Sequence, residues 1–165
     1  MRPVLDLSLY VVTDPAAPRG PEAVALAAAR GGARVVQLRD KTASDAEFLA
    51  LARRLARRAG AVVAVTGAVD YVPDGTRAFR VAGGHPLMPR ITVMGCSLTG
   101  VVGAFLAGEG DPLEAAACAL AAYAVAGERA GARATGPGSF QVAFLDALAA
   151  LTPEALDAEA RIAEA

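Results

Sequence analysis

The sequence contains no tryptophan, and aromatic residues make up only 5% of its 165 positions. Its core must therefore be mainly aliphatic, although alanine supplies much of the 55% hydrophobic content. No run of about 18 residues is both apolar and free of charge, which argues against a membrane-spanning helix. The opening MRPVLDLSLY lacks the apolar segment and cleavage site of a signal peptide, so we expect a cytoplasmic protein.

Excess charge, cysteine and histidine are also scarce. A net charge of −1 provides no positive surplus for nucleic acid or for an anionic membrane, so we expect neither partner. The two cysteines, Cys96 and Cys118, are too few for a disulfide framework and fit a reducing compartment. The single histidine, His85, has no companion cysteines or histidines at ligand spacing, so we predict no protein metal site.

The first 65 residues alternate between short aliphatic runs and alanine-rich segments. Ser44 and Glu47 have the spacing of a capping box, and Gly60 is placed to end the helix that follows them. The alternation predicts a parallel β-α-β-α-β start with right-handed crossovers. The predicted strands are 7–13, 34–38 and 61–65, and the predicted helices are 21–30 and 45–59.

The pattern changes after residue 65. Pro73, Asp74 and Gly75 separate two β-prone runs and predict a hairpin. Only helices are expected from Cys96 onward, with Ser139 as an N-cap. The fold class is thus α/β, a parallel start followed by a hairpin and a helix-rich C-terminal part, in one domain. The predicted late helices are 96–107, 112–133, 140–150 and 153–163.

The segment ITVMGCSLTG, residues 91–100, places Gly95 and Cys96 where a β-branched run gives way to a helix. The first N–H groups of a helix have no partner within it and carry partial positive charge. They can bind a phosphate or another anion, and they favour a thiolate. Two interpretations stay open: an anion-binding turn with a reactive thiol, and a buried Cys96 that only packs a tight turn.

A second candidate lies at the end of the second predicted strand. Gln37, Arg39 and Lys41 alternate, so their side chains point to one side. Ligands bind at the carboxyl ends of parallel strands, and Arg with Lys suits a phosphate or pyrophosphate. A solvated strand edge is the alternative. Asp70, beside the hairpin, and Asp111, before Pro112, are assigned to turns and helix caps.

LYVVTDP, GGARVVQLRDK and FLALARRLARRAG resemble the first two β-α units of thiamine phosphate synthase, a TIM-barrel family. The resemblance covers about residues 5–60. It implies that Gln37, Arg39 and Lys41 hold a pyrimidine pyrophosphate. That family's third strand ends in Asn-Asp, which supplies a magnesium carboxylate. Val65-Thr66-Gly67 stands there in this sequence, so the magnesium site has no counterpart.

About residues 60–165 resemble hydroxyethylthiazole kinase, in VVAVTGAVDYVPDGTRAFRVAGGHPLM, DPLEAAACALAAYAVAGERA and GPGSFQVAFLDALAALTPEAL. That family has a ribokinase-like fold and phosphorylates a thiazole alcohol with ATP and Mg²⁺. The resemblance implies that Thr66 contacts ATP, and that Gly95 and Cys96 form the anion hole with Cys96 as the catalytic residue. It also implies a homo-oligomer, which is a trimer in that family.

The turn before Cys96 departs from the kinase pattern, which reads T-G-T-G-C. Val93 replaces a glycine that would let backbone approach a ligand closely, and Met94 replaces a hydroxyl. Both changes crowd the substrate side. Because one lost donor commonly lowers a rate by about 10²–10³, the departure implies reduced turnover.

The two resemblances meet near Gly60 and predict a chimeric chain, with a synthase-like part over 1–60 and a kinase-like part over 61–165. Three functions stay open. The leading hypothesis is an ATP-dependent hydroxyethylthiazole kinase with reduced activity, because this resemblance is the longer one. The others are an inactive chimera that binds phosphorylated ligands, and synthase-type pyrimidine pyrophosphate chemistry.

Overall fold

The computed structural model describes residues 10–14, 16–33, 35–38, 44–108 and 110–165. A short 3₁₀ turn spans Met88–Arg90. The elements in chain order are β1 (Tyr10–Val12), α1 (Gly20–Arg30), β2 (Val35–Gln37), α2 (Asp45–Ala59), β3 (Val69–Pro73), β4 (Ala78–Ala82), α3 (Met94–Gly108), α4 (Pro112–Gly131), α5 (Pro137–Ala149), α6 (Pro153–Glu159) and β5 (Arg161–Glu164).

The bounds of α2 coincide with those predicted, and both of its end signals are confirmed. The Glu47 carboxylate accepts the Ser44 N–H at 3.0 Å, while the Ser44 hydroxyl oxygen faces the Glu47 N–H at 3.5 Å. Gly60 ends the helix with φ of 60°, a left-handed conformation that glycine adopts without steric cost. Short-range hydrogen bonds thus define this helix at both ends.

The predicted parallel pairing of the first two strands is confirmed, because β1 and β2 run parallel with Val11 opposite Val36. The predicted third strand, 61–65, is wrong. That segment forms a single antiparallel bridge from Val65 to Tyr71, and the Val63 N–H donates to the Pro73 carbonyl at 3.0 Å. Its backbone groups pair with the neighbouring hairpin strand, and the described part of the chain has no three-stranded parallel sheet.

The hairpin is confirmed as β3 and β4, with Pro73 opposite Ala78. The Asp74 carboxylate closes the turn by accepting the N–H groups of Thr76 and Arg77 at 2.8 and 2.7 Å. Asx side chains commonly fold a turn in this way. The turn assignment of Asp74 is therefore confirmed, and the N-cap assignment of Asp111 is confirmed by its bond from the Leu113 N–H.

Two predictions for the C-terminal part are wrong. α5 begins three residues early, with Gly136 as its N-cap, and the Ser139 hydroxyl accepts the Gly136 N–H from the third helical position. The predicted helix 153–163 ends at Glu159, and β5 follows. Ile162 lies opposite Val81, so β5 covers an edge of β4 that would otherwise stay unpaired.

α4 is the central element and is buried along most of its length. It packs between α3 and α5 and against β4. One core cluster is aliphatic, as expected, and joins α4 to Val72 and Val81 of the hairpin. A second cluster gathers Tyr123, Phe140 and Phe144, so a few aromatic residues serve one part of the core. No helix among the described residues is long and apolar enough to cross a membrane.

Candidate functional site

Two pockets meet at the N-terminus of α3. The larger has a volume of about 370 Å³ and the smaller about 190 Å³. Thr66, Gly95, Leu98 and Leu120 line both pockets. The structure therefore brings Thr66 and Gly95, which are far apart in sequence, to the shared wall of the two pockets.

Val93 precedes α3 and has φ of 79°. Its carbonyl accepts the Ser97 N–H at 2.9 Å, which begins the helix. A β-branched residue rarely adopts this left-handed conformation, because its side chain collides with the backbone. The strained residue is the one that replaces a glycine of the T-G-T-G-C pattern described above.

Gly95 and Cys96 lie in the first turn of α3, whose N–H groups have no partner within the helix. A Cβ added at Gly95 would meet no atom within 4 Å, so the backbone is open to a ligand there. Cys96 is exposed, and the interpretation that it packs a buried turn is wrong. Cys96 itself lines neither of the two pockets, whereas its neighbour Gly95 lines both.

Thr66 faces the α3 turn from the segment that leads into β3. It is exposed and follows Val65, which the bridge to Tyr71 holds in place. The Gly67 N–H donates to the Asp70 carboxylate at 2.8 Å, which closes the turn after Thr66. These two anchors fix the backbone on both sides of Thr66.

Asp70 has the turn role expected of it, and it also lines the larger pocket. Burial raises the pKa of its carboxyl to about 6, against the lowering effect of the bond from Gly67. A carboxyl group in a cleft whose pKa lies this far from its usual range is typical of functional sites. The sequence showed the turn spacing but not the burial.

The hydroxyl groups of Tyr123 and Ser97 contact the α3 turn, and the sequence did not predict this role for them. The Tyr123 hydroxyl donates to the Met94 carbonyl at 2.6 Å and lies 2.6 Å from the Ser97 hydroxyl. Tyr123 is buried on α4 and lines the larger pocket. Its one sequence signal is a hydroxyl-bearing side chain in an otherwise alanine-rich helix.

The loop between β4 and α3 forms another wall of the larger pocket. Gly83 and Gly84 have φ of 136° and 88°, which lets the chain turn back over α4. The His85 ring stacks on Phe140, with the ring centroids 5.5 Å apart. Nowhere in the described ranges do three His, Cys, Asp or Glu side chains group as metal ligands would.

The structure describes only part of the predicted pyrophosphate triplet, Gln37, Arg39 and Lys41. Arg39 and Lys41 lie outside the described residues, and so does the side chain of Gln37. Val36 and Leu38 line the smaller pocket. The end of β2 thus reaches the same site, while the phosphate role of the triplet stays a prediction.

The fold and the site define an α/β protein that presents an open helix N-terminus where two pockets meet, an arrangement suited to a phosphorylated small molecule. The Hydroxyethylthiazole kinase family model matches residues 2–154, and the chain belongs to that family.

Named relatives agree with this assignment. The chain is 66% identical over 113 residues to the hydroxyethylthiazole kinase of Cereibacter sphaeroides strain ATCC 17029, covering 68% of this chain and 43% of that protein. It is 52% identical over 142 residues to that of Rhizobium rhizogenes strain K84, covering 86% and 52%. The chain therefore spans about half the length of the curated relatives it matches.

A solved structure gives the same result. The hydroxyethylthiazole kinase protein of Pyrococcus horikoshii OT3 superposes with a TM-score of 0.79 and 34% identity, over 96% of this chain and 66% of that one. The family match begins at residue 2 and crosses Gly60. The comparisons thus give no support to a synthase fragment over 5–60 or to a chimera.

Proposed function

We propose that this chain transfers the γ-phosphoryl group of ATP to the hydroxyl of hydroxyethylthiazole. The observation that carries the proposal is the meeting of Thr66, Gly95 and the first turn of α3 at the shared wall of two pockets. Two pockets joined at one anion-binding turn suit a reaction between two substrates. ATP lies with its phosphates at the turn, and the alcohol approaches from the other side.

The reaction needs positioning and charge stabilisation more than covalent chemistry. The alcohol oxygen bonds to the γ-phosphorus as the bond to the β,γ-bridging oxygen breaks, which releases ADP. The N–H groups of Met94, Gly95 and Cys96, in the first turn of α3, stabilise the charge on the phosphoryl oxygens. Cys96 acts as its thiolate, which accepts the alcohol proton and becomes a thiol. The Thr66 hydroxyl, on the same shared wall, holds the nucleotide.

Mg²⁺ enters the proposal as the companion of ATP. Among the side chains that the structure describes, no group of three metal-ligating residues occurs, and Asp70 is the carboxylate lining the larger pocket. Mg²⁺ takes many of its ligands from substrate phosphates and water. When bound it neutralises phosphate charge, and we derive no step from a protein-held ion.

The test is turnover with two matched cysteine variants. The purified protein is incubated with ATP, Mg²⁺ and hydroxyethylthiazole, and thiazole phosphate is measured. Cys96→Ala is expected to lower kcat by about 10² or more, since it removes a proton acceptor. Cys118→Ala, at a half-buried site on α4, is expected to keep parental activity.

Absence of product from the folded parent protein would overturn the proposed function. Equal loss of activity in both cysteine variants would remove Cys96 from its catalytic role.

We also propose that the chain forms a homotrimer, which is supported by the family likeness. Light scattering is expected to give a particle three times the 16.6 kDa chain mass. A monomer at micromolar concentration would contradict it.

A further inference from the structure

The hydroxyls of Tyr123 and Ser97 hold the carbonyl groups at the start of α3. The Tyr123 hydroxyl lies 2.6 Å from the Met94 carbonyl oxygen. The Ser97 hydroxyl lies 3.1 Å from the carbonyl oxygens of both Val93 and Met94. The two hydroxyl oxygens are themselves 2.6 Å apart, so either hydroxyl can donate to the other. The two hydroxyl protons thus serve the two carbonyl oxygens and the contact between the hydroxyls.

The tyrosine of this arrangement is anchored in the core. Tyr123 is 4% exposed, and its ring packs edge-on against Phe144 with centroids 4.7 Å apart. Burial raises the pKa of Tyr123, the bond from Ser97 opposing it, so the phenol keeps its proton as a donor. The position of the hydroxyl is therefore fixed by α4 and α5, independently of the α3 turn.

Holding a carbonyl also aims an N–H group. Each peptide unit is planar and trans, so its C=O and N–H point in opposite directions. The Val93 carbonyl shares a plane with the Met94 N–H, and the Met94 carbonyl shares one with the Gly95 N–H. Fixing the two carbonyls beneath the turn thus fixes the direction of two N–H groups above it.

The turn has a specific need for such support. Val93 is held at φ of 79°, a left-handed conformation that strains a β-branched residue. Residues in strained conformations persist only where surrounding contacts over-determine them. The hydroxyls of Ser97 and Tyr123 contact the carbonyl oxygens of Val93 and Met94, which directly follow the strained φ torsion.

We propose that Tyr123 and Ser97 are positioning residues that aim the N–H groups of Met94 and Gly95 at the transferred phosphoryl group. The inference rests on the proposed function for its catalytic part. Its structural part, the hold on the turn, stands on the contacts alone.

The experiment combines hydrogen exchange with kinetics on Tyr123→Phe, Ser97→Ala and the double variant. Phenylalanine keeps the contact with Phe144 and removes only the hydroxyl. The amide of residue 97 bonds to the Val93 carbonyl, so its exchange rate reports opening of the turn. Tyr71→Phe on β3, outside the linings of both pockets, is the matched control.

Each single variant is expected to speed exchange at residue 97 about fivefold, the effect of losing one neutral hydrogen bond. Exchange in the α5 core at Ala147 is expected to stay as in the parent. kcat is expected to fall at least about fivefold, with little change in KM for ATP. The double variant is expected to lose less than the product of the single effects, since the two groups act together.

Unchanged exchange at residue 97 in both folded single variants would overturn the proposal, whatever the kinase assay gives. Faster exchange with an unchanged kcat would overturn its catalytic part. If the parent transfers no phosphate, the proposed function fails while the exchange rates still decide the hold on the turn. Should Tyr123→Phe not fold, Ser97→Ala decides alone.

Discussion

Val93 combines a left-handed φ of 79° with a side chain that is 60% exposed. Its side chain therefore gains little from packing, while its Cβ collides with the backbone at this positive φ. We predict that Val93→Gly raises the free energy of unfolding by about 1 kcal/mol, because glycine adopts this conformation without strain. Urea denaturation at equilibrium measures the change.

Val142 provides the matched control for that substitution. It is 63% exposed and lies within α5, where glycine weakens the helix. Val142→Gly is expected to lower the free energy of unfolding by about 0.5 kcal/mol. Loss of stability in both variants would show that Val93 is not strained.

Asp70 should make stability depend on pH in a direction opposite to that of most carboxylates. Its folded pKa of about 6 lies above the usual 3.8, because burial disfavours the charged form. The protonated Asp70 carboxyl contributes fully to the free energy of unfolding below pH 4. This contribution is lost as the pH rises through 6, and the loss is at most about 3 kcal/mol. We predict that Asp70→Asn becomes more stable than the parent as the pH rises from 4 to 7, measured by thermal unfolding.

Asp74 is the control with the opposite sign. The N–H groups of Arg77 and Thr76 hold the pKa of Asp74 well below its usual range. Its contribution is present above pH 4 and is lost only as the pH falls further, so Asp74→Asn should lose most relative to the parent near neutral pH. If the Asp70→Asn difference does not vary between pH 4 and 7, the burial argument is wrong.

At the residue scale, the sequence predicted groups whose partners are nearby in the chain. Ser44, Gly60 and Asp74 are of this kind, because a cap or a turn needs only a few residues. The pocket positions of Asp70 and Tyr123 depend on packing between distant elements. A single sequence carries no local signal for such packing.

At the scale of elements, the helical glycines Gly131 in α4 and Gly100 in α3 have different surroundings. A Cβ at Gly131, the last residue of α4, would overlap the His85 ring, whereas one at Gly100 in α3 would meet no atom within 4 Å. The ring has little freedom, since it stacks on Phe140 and its Nδ1 accepts the Leu87 N–H. Gly131 thus permits the loop of the larger pocket to lie close to α4.

We predict that Gly131→Ala lowers the free energy of unfolding by about 1–3 kcal/mol through overpacking. Gly100→Ala should raise it by up to about 1 kcal/mol, the difference in helix propensity. Denaturant titration of both variants gives the comparison. Equal effects of the two substitutions would contradict the close contact at His85.

The elements themselves were predictable where their signals are local. α2 has a capping box, an amphipathic pattern and a terminal glycine, and its predicted bounds match. The segments 61–65 and 161–164 were assigned wrongly because their backbones pair with β3 and β4. The local pattern of a short segment does not specify which distant strand its backbone pairs with.

At the scale of the whole molecule, α4 links the core, the pocket and the C-terminal segment. Arg129 pairs with Glu159 and Glu128 pairs with Arg161, so two ion pairs join α4 to the region around β5. The chain as a whole belongs to the hydroxyethylthiazole kinase family and spans about half the length of its curated relatives. It contains Thr66, Gly95 and Cys96, on which the proposed phosphoryl transfer depends.

The central claim is that nucleotide phosphates bind at the N-terminus of α3. The most direct measurement is the alkylation rate of Cys96 and Cys118, by mass spectrometry, with and without Mg·ATP. Mg·ATP at ten times its dissociation constant should slow alkylation of Cys96 about tenfold and leave Cys118 unaffected. Equal rates at Cys96 with and without millimolar Mg·ATP, in the folded protein, would contradict the account.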